Sequence, residues 1–132
     1  MKSRTVLQAK RLGIVSCSGS DRLGKIAARM ADEDISALVV TDAGGHLTGI
    51  ISRSDLLRAY VESLDWRAAA VEEFMTREVV TVSPDTLLSE AAILLLGRHI
   101  HRVVVVRPEE EGLRPIAVLS DSDLVCELAT SV

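Results

Sequence analysis

The chain has 132 residues, 48% of them hydrophobic and 26% charged, a composition that excludes a disordered tail and fits one domain or two small repeats sharing a core. Its net charge of −4 supplies no general field for nucleic acid or an anionic membrane, and Tyr60, Trp66 and Phe74, the only aromatics, make no platform for stacked bases. No apolar run approaches the ~18 residues of a membrane span, and Met1-Lys2-Ser3-Arg4-Thr5 lacks the apolar core of a signal peptide, so a cytoplasmic protein is expected, with no membrane insertion.

In chain order, Ile14 to Cys17 predicts a short strand, and Ser18-Gly19-Ser20-Asp21 is turn and cap chemistry before Leu23, Ile26, Ala27 and Met30 at helical spacing. This helix ends near Asp34. Ala37 to Val40 is rich in strand formers, Asp42-Ala43-Gly44-Gly45 is a turn, and Leu47 to Ile51 returns, which predicts an antiparallel hairpin. The first strand reaches the second through a helix and should pair with it in parallel, by a right-handed crossover. A further helix follows Ser52, carrying Leu56, Leu57, Tyr60 and Val61. Ser63-Leu64-Asp65-Trp66 breaks the pattern, and Ala68 to Phe74 predicts a short linking helix.

From Val79 the pattern starts again. At an offset of 65 residues Val15 falls on Val80, Ser18 on Ser83, Leu23 on Leu88, Ala27 on Ala92, Ile35 on Ile100, and Val39 and Val40 on Val104 and Val105. Val79 to Val82 predicts a strand, and Ser83-Pro84-Asp85 places proline at the first position of a helix whose buried face is Leu87, Leu88, Ala91, Leu94 and Leu95. His101-Arg102 stands before the apolar run Val103 to Val106. Beyond it the offset becomes 68, accounted for by three residues inserted in the loop from Pro108 to Pro115. Each repeat thus reads β-α-β-β-α, and neither buries enough apolar surface to stand alone. Cys17 and Cys126 lie in apolar segments without Cys-x-x-Cys spacing and read as small buried thiols.

Both repeats end on one motif. Gly49-Ile50-Ile51-Ser52-Arg53-Ser54-Asp55 recurs as Ala117-Val118-Leu119-Ser120-Asp121-Ser122-Asp123. An apolar strand stopping at Ser-x-x-Asp and passing into a helix has two readings. It is a variant capping box, or the helix start holds a phosphate while the aspartate accepts from sugar hydroxyls.

Val71-Glu72-Glu73-Phe74-Met75-Thr76, Val80-Thr81-Val82-Ser83-Pro84-Asp85-Thr86, His101-Arg102-Val103-Val104-Val105 and the two Ser-x-x-Asp endings together resemble a tandem pair of cystathionine-β-synthase (CBS) domains, a Bateman module. The resemblance spans nearly the whole chain. It implies one module over residues 1–132, with a first repeat over 1–62 and a linker helix plus second repeat over 63–132. The implied fold is α/β, with pseudo-twofold symmetry and the repeats packed through their sheets. It also implies two clefts between the repeats, usually for adenine nucleotides or S-adenosylmethionine. Carried over, Ser52 and Asp55 would face Thr76, Arg77, Val80, His101 and Arg102, whereas Ser120 and Asp123 would face Leu12, Val15, Ser36 and Ala37. In the first repeat Leu7-Gln8-Ala9-Lys10 and Ser18-Gly19 depart from the motif.

On this grouping the Asp55 cleft gathers Arg53, His101 and Arg102 and is basic, and the Asp123 cleft, with Asp121 and no basic pair, is acidic. The basic cleft is expected to hold the phosphates of AMP, ADP or ATP, with Arg102 pairing to phosphate and the backbone of Thr76 to Val80 reading the adenine edge. The other is expected to be empty or to take a nucleoside or a cationic ligand such as S-adenosylmethionine. Alternatively, His101 and Arg102 form a solvated strand edge. The expected function is a non-enzymatic regulatory sensor that forms a homodimer through the helices after each Ser-x-x-Asp and acts on a protein effector in trans. A ligand-free interaction module is the alternative. For an enzyme the sequence offers no nucleophile with a neighbouring base, no Walker-type loop and, at His46, His99 and His101, no metal-ligand spacing.

Overall fold

The computed structural model describes residues 4–9 and 13–130, with Leu7 and Ala9 described by their backbone alone. Its helices are α1 (Val6–Ala9), α2 (Leu23–Glu33), α3 (Arg53–Glu62), α4 (Leu88–Arg98) and α5 (Asp121–Thr130). Its strands are β1 (Ser16–Ser18), β2 (Ala37–Thr41), β3 (Leu47–Ser52), β4 (Thr81–Val82), β5 (Arg102–Glu109) and β6 (Gly112–Ser120). They make two three-stranded sheets, ordered β1-β2-β3 and β4-β5-β6. In each, the first strand pairs parallel to the second and the second antiparallel to the third. The mixed α/β duplication expected from the 65-residue period is therefore present.

The chain divides into two compact units. The first is Val15–Val79; the second joins the described residues up to Ile14 with those from Val80 onward. The segment leading into each repeat is built into the other repeat's unit. Val71, in the linker, is fully buried among Leu23, Ile26, Leu38 and Ile51. Val6, its counterpart 65 residues earlier, is buried among Val82, Ala91, Val103 and Leu119. Backbone hydrogen bonds fix both docks identically: Leu23 N to Ala69 O and Val71 N to Asp21 O in the first unit, Leu88 N to Arg4 O and Val6 N to Thr86 O in the second.

That docking explains two departures from the expected elements. Ala70 is held extended, bridged to Arg22, so the predicted linking helix is two 3₁₀ turns, Trp66–Ala68 and Val71–Glu73. Leu87 is likewise extended and bridged to Thr5, and Ser83 closes its own turn with Thr86, so α4 starts at Leu88 and Pro84 lies in the turn before it. In the same way Asp21 does not cap α2; its carboxylate accepts from Ser18 N at 3.0 Å.

The three inserted residues lengthen a hairpin instead of a loop. Pairing of β5 with β6 continues to Glu109↔Gly112, with a register shift at Val105/Val106 opposite Pro115, which has no N–H to offer the ladder. α2 and α4 both end on a left-handed residue, Asp34 at φ 51° and His99 at φ 53°, again 65 residues apart. Cys17 is buried, which pushes its thiol up to about 11, with the Asp21 charge adding to the shift. Cys126 is exposed on α5, a correction to its reading as a buried thiol: its helix presents that side outward, beside exposed Val125.

Candidate nucleotide site

At the end of β3, Ser52 is extended (φ −124°, ψ 171°) and caps α3. Asp55 turns back onto it: Oδ2 accepts from Ser52 N at 2.9 Å and from Ser52 Oγ at 3.1 Å. The other oxygen, Oδ1, meets Arg58 Nη1 at 3.3 Å and Thr76 Oγ1 at 3.5 Å. Asp55 is only 4% exposed. Thr76 is brought there by paired backbone bonds with Ile50, 2.9 Å each way. Gly49 permits that approach, since a Cβ on it would lie 2.8 Å from Thr76 O and from Met75 Sδ. Arg77 donates to Glu72 O at 3.0 Å. Arg53 donates its amide to Ser36 O and sends its guanidinium to Asp34, 3.6 Å away.

The end of β6 repeats the motif. Ser120 N donates to Asp123 Oδ2 at 2.8 Å, and Asp123 N donates to Ser120 Oγ at 3.1 Å, a complete capping box. Asp123 is half-buried, unlike Asp55. Asp121 N donates to His101 O, and His101 Nδ1 lies 3.0 Å from Asp121 Oδ2. That imidazole hydrogen bond holds the Asp121 carboxyl below the usual carboxylate range, against the opposing effect of desolvation and with help from Ser122 N–H. A depressed carboxyl contributes stability above its unfolded value, near pH 3.8, and loses it as pH falls through the folded value. In a carbon-detected NMR titration, Asp121 is expected to titrate below an ordinary aspartate, and His101→Ala to return it towards the normal range.

Strand register fixes which of the expected residues share an end of a sheet within each unit. In an antiparallel hairpin the start of one strand lies beside the end of the next. Ala37 is thus the cross-strand partner of Ser52, and Arg102 the partner of Ser120. Ser36 and Ala37, expected around Asp123, stand at the Asp55 end of the first unit; His101 and Arg102, expected around Asp55, stand at the Asp123 end of the second. Within its own unit His101 lies against Asp121, and Arg53 faces Asp34. Val15 and Val80 pack against the cores of their own units and give their carbonyls to Val39 N and Val104 N. Leu12 lies outside the described residues.

Arg58 is the site residue that sequence reasoning missed. Its signal was present, a basic residue three positions after Asp55 on a helix and so on the same face. A cavity of about 510 Å³ in the second unit is lined by Thr81, Val82, Ser83, Thr86, Glu90, Ile93 and Leu94, none of them an expected site residue. Its polar groups are already engaged, Ser83 with Thr86 and Glu90 with Leu87 N. Among the described residues, no group of three or more His, Cys, Asp or Glu side chains is placed to hold a metal ion, and no helix is long and apolar enough to cross a membrane.

The CBS-domain family model matches residues 9–62 and 71–130, and the chain belongs to this family. It is 29% identical over 136 aligned positions to inosine-5'-monophosphate dehydrogenase of Nitrosopumilus maritimus, an alignment covering 98% of this chain but 25% of that enzyme. The chain thus spans about a quarter of that relative. Among solved structures it is similar to the CBS domain pair of the protein MJ0100 in complex with 5'-methylthioadenosine and S-adenosyl-L-methionine, with TM-score 0.86, 21% identity, and coverage of 99% of this chain and 100% of that one. It is also similar to CBSX2 in complex with AMP, with TM-score 0.82, 21% identity, and coverage of 97% and 99%. These likenesses establish the fold, that of a CBS-domain pair, which is a regulatory module.

Proposed function

We propose that this CBS pair is a sensor that binds an adenine nucleotide of the AMP, ADP or ATP type and acts on a partner protein in trans. The observation that carries this reading is the pairing of Arg102 with Ser120. It sets a cation, a hydroxyl and the Asp123 carboxylate at one end of one sheet. Arg102 pairs with phosphate through its planar fork, and His101 donates to it. The Ser120 hydroxyl donates to a phosphate oxygen, and Asp123 accepts from the ribose hydroxyls. At an effective dielectric of ~20, a cation about 4 Å from a phosphate contributes roughly 4 kcal/mol before desolvation and salt screening. The complexes of CBSX2 with AMP and of MJ0100 with adenosine derivatives support the ligand class. The Asp55 end, with Ser52, Arg53, Thr76 and Arg77, is the second candidate.

Thermal melts with AMP, ADP, ATP, NAD and S-adenosylmethionine test the reading. Ligand at ~100 times its dissociation constant is expected to stabilise the fold by about 2.7 kcal/mol, a rise of several degrees, and Asp123→Ala to abolish the rise. No shift with any ligand at millimolar concentration would favour the second reading, an interaction module without ligand. One observation favours that second reading: both aspartates already serve as capping carboxylates. α3 exposes Leu57, Tyr60 and Val61, and α5 exposes Val125 and Leu128. We assign these faces to a homodimer, and light scattering is expected to return twice the chain mass.

A further inference from the structure

We propose that the cleft of about 510 Å³ in the second unit receives an arginine side chain of a protein partner, in the way that the first unit's own Arg29 occupies the matching place. The assignment takes up the partner protein of the reading above and is independent of its nucleotide.

Both units present the same backbone there. Val39 N donates to Val15 O, and Val104 N donates to Val80 O. β1 and β4 are the outer strands of their sheets, so alternation along the strand turns the next carbonyl, Ser16 O or Thr81 O, towards the open edge. In the first unit Arg29 reaches that carbonyl from α2: its Nη1 donates to Ser16 O at 3.0 Å, while its Nε donates to Glu33 at 3.2 Å. At the 65-residue offset Leu94 stands in place of Arg29 and brings no donor to Thr81 O. The cleft lies at this point, with Thr81 and Leu94 both in its lining.

The charge is reversed as well. Lys25, paired with Asp21 in the first unit, is replaced by Glu90, and Asp21 by Thr86. Leu87 N engages Glu90 Oε1, and a carboxylate has a second oxygen with which to accept. Arg98, at the position of Glu33, is exposed and outside the lining, so Glu90 is the one charged side chain among the described residues of the cleft. A fork of N–H donors on an apolar stem matches this set: the stem lies against Ile93 and Leu94, and the donors meet Thr81 O and the Glu90 carboxylate. Ile93 and Leu96, three apart on α4 and 68% and 76% exposed, continue the apolar surface beyond the cleft. A residue flanking the arginine in a protein covers that strip, and a free guanidine does not.

Amide NMR titration with N-acetyl-arginine amide tests the assignment, beside the lysine and citrulline analogues and free arginine. The arginine amide is expected to give saturable shifts at millimolar concentration, centred on Thr81, Ser83 and Glu90. Citrulline, with the same shape and no charge, and lysine, a point charge without the fork, are each expected to bind about fivefold more weakly or worse. Glu90→Gln keeps an acceptor for Leu87 N and is expected to weaken the arginine amide by about the same factor. Leu94→Arg supplies the first unit's guanidinium and is expected to abolish binding; should it fail to fold, Glu90→Gln carries the test. No saturable shift, equal affinity for citrulline, no effect of Glu90→Gln, or binding retained in folded Leu94→Arg overturns the assignment. Free arginine binding tenfold tighter than its blocked amide would make the cleft a small-molecule site and overturn the protein partner. Each of these outcomes leaves the nucleotide reading standing, since the ligand melts decide that separately.

Discussion

Replacing Gly49 by valine is expected to cost about 3 kcal/mol and to lower the melting temperature by roughly 10 °C, the upper end of what overpacking does. A Cβ there would stand 2.8 Å from Thr76 O and Met75 Sδ. Methionine's thioether can rotate aside, but Thr76 O cannot, because it accepts from Ile50 N while Thr76 N donates back to Ile50 O. Relief therefore requires the linker to lift off β3. The effect is expected to reach beyond stability: Thr76 leaves Asp55 Oδ1, and the exchange protection of the Ile50 and Thr76 amides falls with it. Urea unfolding with amide exchange on the same variant checks both. A midpoint unchanged from the wild type would mean that the linker does not press on β3.

Asp55→Ala is expected to cost about 3 kcal/mol, near ~1 for the lost cap and the rest for buried donors left without a partner. Asp123→Ala is expected to cost about half as much, since that carboxylate is half-buried. The difference appears as a larger shift in urea midpoint at unchanged slope. It also governs how ligand melts are compared: each aspartate variant starts from its own lowered baseline, and a lost ligand shift is meaningful only against that baseline. Equal costs for the two substitutions would show that the four contacts around Asp55 contribute no more than a simple cap.

Much of the fold was legible locally. The hairpin of β2 and β3 follows from Asp42-Ala43-Gly44-Gly45, whose aspartate accepts from the amides of Gly44 and His46 in the structure. α2 and its end at Asp34 followed from the spacing of Leu23, Ile26 and Met30, all buried. Where prediction failed, a neighbour from the distant lead-in had overridden a local signal. Proline before Asp85 is good helix-start chemistry, yet Leu87 is held extended by Thr5, some eighty residues away in sequence.

The candidate site divides along the same line. Composition, the 65-residue period and the two Ser-x-x-Asp endings determined by themselves that the chain is a duplicated α/β module, and which serines and aspartates end its sheets. These are properties of hydrophobic spacing and cap chemistry, which act within a few residues. Tertiary structure alone decided that His101 and Arg102 share an end with Ser120 and Asp123, that each lead-in belongs to the opposite repeat's unit, and that Arg58 and Thr76 enclose Asp55. Strand register and backbone docking bring those groups together, and main-chain hydrogen bonds between distant segments carry no signature in side-chain pattern.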